Sequence, residues 1–215
     1  MESRYKYPRT LHLPASQGAT SDDKMLTEDQ VKAYYTGAKV AYTEKMDGEN
    51  TTMYNDYIHA RSIDSRHHNS RNWVKRFHSE IAHEIPDGWR ICGENLFAKH
   101  SISYDNLDSY FYGFSIWDEY NLCVPWGTTQ RIFKKLGIQC VPLVTNIDSI
   151  MDSNFHKKLG EDLVAQGKEG FVIRNVHSFN LQNFDKNVAK YVRANHVTTN
   201  KHWAHQEIIP NKLKG

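Results

Sequence analysis

The chain has 215 residues, of which 39% are hydrophobic and 24% are charged, a balance that indicates a globular protein and excludes a disordered one. Its formal charge of +2 permits a nucleic acid as a partner without demanding one, so such binding would have to come from local basic stretches. Three widely separated cysteines indicate a reducing compartment such as the cytoplasm. A polar N-terminus without a signal peptide and the lack of any apolar run of about 18 residues predict an intracellular protein that is neither secreted nor membrane-spanning.

Apolar spacing and turn chemistry divide the chain into short helices and strands. Thr27 begins a capping box and so predicts the start of a helix, and Pro86 and Gly137 mark the ends of two later helices. In chain order the prediction is a helix after Thr27, strands at 40–43, 51–54 and 57–61, a helix at 72–85, strands at 89–97 and 110–117, helices at 128–136 and 155–165, and strands at 170–174 and 188–192. Because strands and helices mix without strict β-α-β alternation, the predicted fold class is α+β with mainly antiparallel sheets flanked by helices.

The sequence Lys45-Met46-Asp47-Gly48 directly follows the strand predicted at 40–43. Asp-Gly is ordinary turn chemistry, so two interpretations are open: an exposed lysine at a hairpin turn, or a nucleophilic amine held at the end of a strand. A nucleophilic lysine must be unprotonated, whereas a free lysine titrates near about pH 10.4, so neighbouring cations or a metal ion would have to disfavour the ammonium form. A tight turn beside the lysine would orient it for in-line attack. A single match of this length does not decide between the two interpretations.

Five further short motifs follow Lys45 in a fixed order. They are residues 61–66 (RSIDSR), 93–97 (GENLF), 111–116 (FYGFSI), 168–174 (KEGFVIR) and 189–193 (AKYVR). With the lysine motif, this ordered set resembles the covalent nucleotidyltransferases, the superfamily of ATP-dependent ligases and capping enzymes, and within it the RNA ligase branch related to phage T4 RNA ligase 2. The resemblance covers about residues 39–193.

The resemblance implies a fold, a division of the chain and an activity. It implies a nucleotidyltransferase (adenylylation) domain at residues 39–193 with the nucleotide between its sheets, an N-terminal extension at 1–38 packed on that core, and a tail at 194–215 in place of a separate C-terminal domain. The implied enzyme is an ATP-dependent RNA ligase that uses Mg²⁺ or Mn²⁺. It would form a lysyl-AMP intermediate, transfer AMP to a 5′-phosphate end and join that end to a 3′-hydroxyl.

The resemblance also assigns roles to residues near the lysine motif. Lys45 is the expected nucleophile, and Glu44 would read the adenine through its side chain or its main chain. Asn50 would lie close to the phosphates or their metal ion, and Arg66 would contact the nucleotide.

The later motifs supply the other expected nucleotide-binding residues. Glu94 would hold the ribose, Phe114 would stack on the base, and Glu169 would bind the divalent metal. Arg174 stands where relatives often carry a lysine, and Lys190 would lie against the α-phosphate.

The last motif departs from the family pattern. Related ligases often carry a second lysine two residues after the first, but that position is Val192 here and the next cation is Arg193. On a strand, Lys190 and Val192 share one face while Arg193 points to the other. The motif therefore leaves open which cation meets the pyrophosphate.

Other functions stay open beside the RNA ligase hypothesis. A GTP-dependent capping-type enzyme and a DNA-ligase-type enzyme share the lysine motif, although the GENLF segment and the short tail favour an RNA ligase. An RNA-end phosphodiesterase would use the H-x-[ST] sequences at 68–70 and 196–198, and an inactive nucleic-acid-binding relative is a further alternative.

The expected partner is RNA, or a nicked duplex that contains RNA, with 5′-phosphate and 3′-hydroxyl ends; a partner protein for the later steps is also open. Phosphate contacts need cations, and a basic stretch follows the second motif. Its candidate nucleic-acid-binding residues are Arg61, Arg71, Lys75 and Arg76. The same residues could instead form an ordinary solvated helix face. The tail carries Lys201, Lys212, Lys214 and Trp203, which could guide a strand or pack on the core.

Overall fold

A computed structural model describes residues 3–148, 152–194 and 207–215. The chain divides into two compact units. Unit 1 contains residues 47–140 together with the described residues of the two termini, 3–7 and 207–215. Unit 2 contains residues 8–46 and the described residues from 141 to 194. The chain therefore crosses from unit 2 into unit 1 between Met46 and Asp47.

The elements are numbered in chain order. The strands are β1 (Leu11–His12), β2 (Val40–Glu44), β3 (Glu49–Met53), β4 (Ile58–Ala60), β5 (Arg90–Asn95), β6 (Phe111–Trp117), β7 (Leu122–Cys123), β8 (Gln139–Cys140), β9 (Leu143–Ile147), β10 (Gly170–Asn175), β11 (Phe179–Asn180) and β12 (Val188–Val192). The α-helices are α1 (Glu28–Tyr35), α2 (Asn72–Ile81), α3 (Trp126–Leu136) and α4 (Ser153–Ala165). Short 3₁₀ turns cover Asn69–Arg71, Ala82–Glu84 and Leu181–Lys186.

The sheet of unit 2 has the strand order β1-β12-β10-β2-β9. All neighbours in it are antiparallel except β1, which runs parallel to β12. One face of this sheet carries the apolar core, which α1 and α4 help to close. The buried members of that core are Leu13, Leu26, Val31, Tyr35, Val40, Tyr42, Leu163, Phe171, Ile173, Ala189 and Tyr191. Residues N-terminal to β2 thus supply part of the core, and the sequence-based division at residues 38 and 193 stays a prediction.

Local capping explains where the helices of unit 2 begin. The Thr27 hydroxyl accepts a hydrogen bond from the Gln30 N–H at 3.1 Å, and the Gln30 side chain accepts one from the Thr27 N–H at 2.9 Å. This is the capping box that the sequence predicts, and each bond satisfies an otherwise unpaired donor. The Asp152 carboxylate caps α4 by accepting from the Phe155 N–H at 2.9 Å, so α4 begins slightly before the predicted residue 155.

The sheet of unit 1 contains the antiparallel series β7-β6-β5-β3-β4, and β8 runs parallel to β6. The helices α2 and α3 pack on its core face. The buried core residues are Met53, Val74, Ile81, Ile85, Ile91, Phe111, Ile116, Phe133 and Ile138. The prediction of β6 as a central strand is confirmed, because β6 pairs on both edges and most of its side chains are buried.

The predicted α+β fold class with mainly antiparallel sheets is confirmed. The strands at β10 and β12 match the prediction closely, and α3 ends at Gly137, which has a φ of 68°. The predicted helix at 72–85 is too long, because α2 ends at Ile81 and a 3₁₀ turn follows it. The five-residue edge strand β9 was not predicted.

Two further features concern the chain as a whole. No helix among the described residues is long and apolar enough to cross a bilayer. The three cysteines are free thiols, with Cys92 and Cys123 buried and Cys140 partly exposed.

A histidine lies inside the core of unit 2. His156 on α4 is fully buried, and its Nε2 atom lies 2.9 Å from the Tyr42 hydroxyl on β2. Burial lowers the pKa of His156 to about 4, although Glu28 and Asp152 act in the opposite direction. Because the unfolded chain would protonate this imidazole near about pH 6.5, the folded state loses stability relative to the unfolded state as the pH falls from about 6.5 toward 4.

We therefore expect a His156→Gln variant to lose part of the acid sensitivity of the wild-type protein. Between pH 7 and pH 5, the free energy of unfolding of the wild type should fall by about 2 kcal/mol more than that of the variant, as the pKa difference requires. Urea unfolding at the two pH values measures this difference. The control is His83→Gln, since the His83 side chain is exposed and should leave the pH dependence unchanged. Equal pH dependence in His156→Gln and the wild type would contradict the prediction.

Candidate active site

Lys45 extends the ladder between β2 and β10 by one residue. Its main-chain N–H donates to the Gly170 carbonyl at 3.0 Å, and its Nζ donates to Glu169 Oε2 at 2.7 Å. The Lys45 side chain is 24% exposed, whereas that of Glu169 is only 5% exposed. The exposed-turn interpretation of Lys45 is therefore wrong: the amine is held at the strand end by a buried carboxylate.

The register of β2 against β10 fixes the direction in which Glu44 points. Glu44 is opposite Phe171, which lies in the apolar core, and strand alternation places both side chains on that face. The Glu44 carboxylate there lies 2.8 Å from Lys168 Nζ, just after α4. The Glu44 carboxylate is already paired with the Lys168 ammonium group. This pairing favours the main chain of Glu44, rather than its side chain, as the group that would contact a base.

The other face of the same sheet carries two of the predicted nucleotide-binding cations, Arg174 and Lys190. Lys190 on β12 and Thr43 on β2 are both opposite Val172, and Arg174 lies two residues further along β10. Alternation places Arg174 and Lys190 on the side away from the core residues, which is also the side of Lys45. Lys190 is half-buried and Arg174 is buried, so this face presents positive charge under partial desolvation.

Val192, the position where relatives often carry a second lysine, is buried under the N-terminal residues of unit 2. Its N–H donates to the Ser16 hydroxyl at 3.0 Å, and its carbonyl accepts from the Gly18 N–H at 2.8 Å. Val192 is 1% exposed, so a lysine at this position would have to bury its ammonium group, which is unfavourable without a partner.

Gly170 allows Glu169 and β12 to approach closely. Its φ is +151°, and a Cβ atom at this position would lie 2.1 Å from the Tyr191 carbonyl oxygen. A side chain here would therefore force apart the backbones of β10 and β12. The neighbouring Arg193 N–H donates to the Glu169 carbonyl at 2.9 Å, so both strands fix the main chain of Glu169.

The remaining predicted nucleotide-binding residues lie in unit 1. Asn50 on β3 is directly opposite Glu94 on β5, so their side chains share a face. Glu94 Oε1 accepts a hydrogen bond from the Gly48 N–H at 3.3 Å. The Asn50 Oδ1 atom is buried, and no hydrogen bond to it is found within the described part of the chain. A buried acceptor without a donor is unfavourable unless a ligand or water supplies one.

Phe114 is the extra residue of a β-bulge. Cys92 pairs with Ser115 and Gly93 pairs with Gly113, so Phe114 has no opposite residue on β5. Its ring contacts the Tyr7 ring edge-on, with centroids 5.0 Å apart. A bulge reorients one side chain relative to the strand, and such bulges often occur next to functional sites.

Arg66 lies in the loop after β4, beside a pocket of unit 1. The residues that line this pocket are Thr51, Ile58, His59, Ala60, Ser65, Arg66, Arg71, Val74 and Lys75. Arg71 is held by Glu49 through two hydrogen bonds, of 2.8 Å and 2.5 Å, and it also donates to the Arg66 carbonyl. The pocket therefore combines three cationic side chains with the Ser65 hydroxyl, a set that suits an anion.

The predicted site residues are divided between the two units. Unit 2 contains Glu44, Lys45, Glu169, Arg174 and Lys190. Unit 1 contains Asn50, Arg66, Glu94 and Phe114. The sequence did not indicate Lys168 as the partner of Glu44, although it directly precedes Glu169. It also did not indicate the segment 99–104, which contacts Asp47. The nucleotide-binding roles stay predictions.

The ordered motifs and the two mainly antiparallel sheets define a protein of the nucleotidyltransferase superfamily. The RNA ligase family model matches residues 38–192, and the chain belongs to that family. No curated protein matches the chain. A specific relationship to phage T4 RNA ligase 2 stays a prediction.

Solved structures support the same fold. An archaeal ATP-dependent RNA ligase matches with a TM-score of 0.59 at 15% identity, over 87% of this chain and 48% of its own. A putative ATP-dependent DNA ligase from Aquifex aeolicus gives a TM-score of 0.59 at 16% identity, over 88% and 50%. A mutant of Naegleria gruberi RNA ligase with ATP and Mn matches with a TM-score of 0.56 at 17% identity, over 89% of this chain and 63% of its own. The chain thus spans about half of the length of the archaeal and Aquifex proteins.

We expect Lys45 and Glu169 to stabilise each other more strongly than an exposed ion pair does. A double-mutant cycle with Lys45→Met and Glu169→Gln, measured by urea unfolding, should give a coupling free energy of about 1–3 kcal/mol, because either single change leaves a partly buried charge unpaired. The matched control is Lys39→Met with Asp148→Asn in the same unit, a 3.4 Å pair whose side chains are 62% and 88% exposed. That control should couple by less than about 0.5 kcal/mol. Similar coupling in the two cycles would contradict the prediction.

Proposed function

We propose that this protein is an ATP-dependent RNA ligase that acts through a lysyl-AMP intermediate. The observation that carries the proposal is the placement of Lys45 at the end of β2, 2.7 Å from the buried carboxylate of Glu169, in a chain of the RNA ligase family. A surface lysine would not need this arrangement. A lysine that attacks a phosphate needs a fixed position and a group that holds its proton.

In the proposed first step, Lys45 Nζ attacks the α-phosphorus of ATP. A nitrogen–phosphorus bond forms, the bond from the α-phosphorus to the bridging oxygen breaks, and pyrophosphate leaves. Glu169 Oε2 already accepts a hydrogen bond from Nζ, so this carboxylate is positioned to hold the proton that the amine gives up. Arg174 and Lys190, on the Lys45 face of the sheet, would stabilise the negative charge that develops on the phosphates.

The residues present fit ATP and a divalent metal ion. The buried Asn50 Oδ1 is an unsatisfied acceptor that a ligand could pair, and Glu94 and Glu169 offer carboxylate oxygens. In the described residues, no group of three or more His, Cys, Asp or Glu side chains could hold a metal by itself. Mg²⁺ usually needs only one or two carboxylates together with substrate phosphates and water, so Glu169 would suffice as its protein ligand. When bound, the metal neutralises phosphate charge. The Naegleria ligase mutant, which was solved with ATP and Mn, supports ATP and a divalent metal as the ligands.

The proposed substrate is RNA, or a nicked duplex that contains RNA, with a 5′-phosphate and a 3′-hydroxyl. The pocket beside Arg66 supports it, because Ser65, Arg71 and Lys75 also line it and together suit a phosphate of the backbone. Arg61 and Arg76 lie nearby in the sequence and would add charge. A partner protein for the later steps remains part of the proposal.

Two alternatives differ in support. The Aquifex DNA ligase matches as well as the archaeal RNA ligase does, so a DNA-ligase-type activity is the second candidate. The phosphodiesterase hypothesis has less support: the first H-x-[ST] sequence forms a local hydrogen bond between His68 and Ser70 at 2.7 Å, and the second lies outside the described residues. We also propose an intracellular location, in keeping with three free thiols.

The first step predicts a covalent adduct. The wild-type protein, incubated with α-labelled ATP and a divalent metal, should retain the label through denaturing gel electrophoresis. Lys45→Ala should retain none, because only the Nζ atom can form the phosphoramidate. The control is Lys39→Ala, an exposed lysine of the same unit. A parallel reaction with α-labelled GTP separates an ATP-dependent ligase from a capping-type enzyme. Label on Lys45→Ala would contradict the proposal.

The later steps predict that the protein seals a nicked duplex whose 3′-hydroxyl strand is RNA. A labelled 5′-phosphate strand should lengthen on a sequencing gel, and an all-DNA nick should be sealed at least about tenfold more slowly if the 2′-hydroxyl is recognised. Accumulation of the adenylylated 5′ end without joining would indicate that a partner completes the reaction. Faster sealing of the all-DNA nick would favour the DNA-ligase alternative.

A further inference from the structure

The C-terminal residues of the chain are bonded into unit 1 along residues 97–107. Main-chain hydrogen bonds join Lys99 N–H to the Ile209 carbonyl at 2.8 Å and Leu107 N–H to the Lys212 carbonyl at 3.0 Å. The Lys212 N–H donates in turn to the Tyr104 carbonyl at 2.8 Å. This segment lies beyond residue 192, where the match to the RNA ligase family model ends, so the family assigns it no role.

Asn211 is the centre of this contact. It is 2% exposed, and its side-chain amide donates to the Leu96 carbonyl at 2.7 Å and to the Ala98 carbonyl at 3.5 Å. Its Oδ1 atom accepts from the Tyr104 N–H at 2.9 Å. The amide therefore joins two stretches of one segment, residues 96–98 and residue 104, by bonds that water cannot easily replace in a buried position.

The same segment holds the residue that follows Met46 in the lysine motif. The Asp47 carboxylate oxygen Oδ2 accepts three hydrogen bonds, from the Ser101 N–H at 2.8 Å, the Ser101 hydroxyl at 2.6 Å and the Ile102 N–H at 2.8 Å. The Asp47 N–H donates to the Tyr104 hydroxyl at 2.9 Å. Tyr104 thus contacts Asn211 through its main chain and Asp47 through its side chain.

Gly48 rests on the beginning of this segment. A Cβ atom on Gly48 would lie 2.5 Å from the Asn95 carbonyl oxygen and 2.7 Å from Leu96 Cδ2, so the main chain of the motif packs directly against residues 95 and 96. The Leu96 carbonyl is the main acceptor of the Asn211 amide. Asp47 and Gly48 therefore both contact a segment that Asn211 fixes.

We propose that Asn211 is a positioning residue for the lysine motif: by fixing residues 96–104, it fixes Asp47 and Gly48, which follow Lys45 and Met46 in the chain. The inference rests on the proposed function, because the position of Asp47 and Gly48 matters for catalysis only if Lys45 is the nucleophile. Removal of the amide leaves buried carbonyl and N–H groups without partners and loosens the segment. A near-attack position is sensitive to such displacements, so the adenylylation step should slow.

The test compares three variants of the full chain. Asn211→Ala removes the amide, and Tyr104→Phe removes only the hydroxyl that accepts from Asp47. Lys214→Ala is the control. Lys214 belongs to the same C-terminal segment as Asn211, but its side chain is 50% exposed and pairs with Asp108 at the surface. Hydrogen exchange by mass spectrometry reports on peptides that contain residues 47–48 and 101–102. Single-turnover labelling with α-labelled ATP gives the rate constant and the ATP concentration for half-maximal rate.

Asn211→Ala and Tyr104→Phe should each speed exchange at residues 47–48 and lower the labelling rate constant at least about tenfold, with a change below about twofold in the half-maximal ATP concentration. The double variant Asn211→Ala/Tyr104→Phe should be no slower than the slower single variant, because both changes disturb the same contact between residue 104 and Asp47. Lys214→Ala should remain within about twofold of the wild type.

A folded Asn211→Ala protein with unchanged hydrogen exchange and an unchanged labelling rate would overturn the proposal. The same holds if Asn211→Ala lowers only the unfolding temperature and leaves both of these measurements unchanged. If Asn211→Ala does not fold, Tyr104→Phe and Ser101→Ala decide instead, and unchanged rates in both would overturn it. A wild-type protein that never takes up label refutes the proposed function, whereas the exchange experiment still decides whether Asn211 fixes Asp47 and Gly48.

Discussion

The antiparallel register between β2 and β10 is the constraint on which the candidate site depends. It places Glu44 opposite Phe171 and brings the Lys45 N–H to the Gly170 carbonyl. Because side chains alternate across a strand, a slip of one residue would turn Lys45 into the apolar core and Glu44 out of it. The core residues on β10 and β12 prevent that slip, so packing on one face of the sheet fixes the side on which Lys45 lies.

Much of this arrangement was predictable from local sequence. The capping box at Thr27 and the strands β10 and β12 depend on neighbouring residues, and the structure confirms them. Lys45 could be identified as a candidate site residue because ordered motifs along the chain supplied the context that one tetrapeptide lacks. The edge strand β9 was missed because its side chains are only partly buried, and it therefore lacks the clear alternation that identifies a strand.

The polar contacts of the site were not predictable, since each one depends on residues distant in sequence. Glu44 is paired by Lys168, and Asp47 is held by residues 101–104. Asn211 has no periodic or motif context at all, and only the fold reveals that it is buried. Hydrophobic periodicity predicts which face of an element is buried, but it contains no information on which donor meets which acceptor across the fold.

The burial of two of the three cysteines has a practical consequence for spectroscopy. Cys92 and Cys123 are each 1% exposed, so a thiol reagent should react with Cys140 at the end of β8 first. A fluorophore could therefore be attached at one position of the natural sequence without replacing any residue. Such a reporter on unit 1 would allow the proposed nucleotide and RNA binding to be tested in solution.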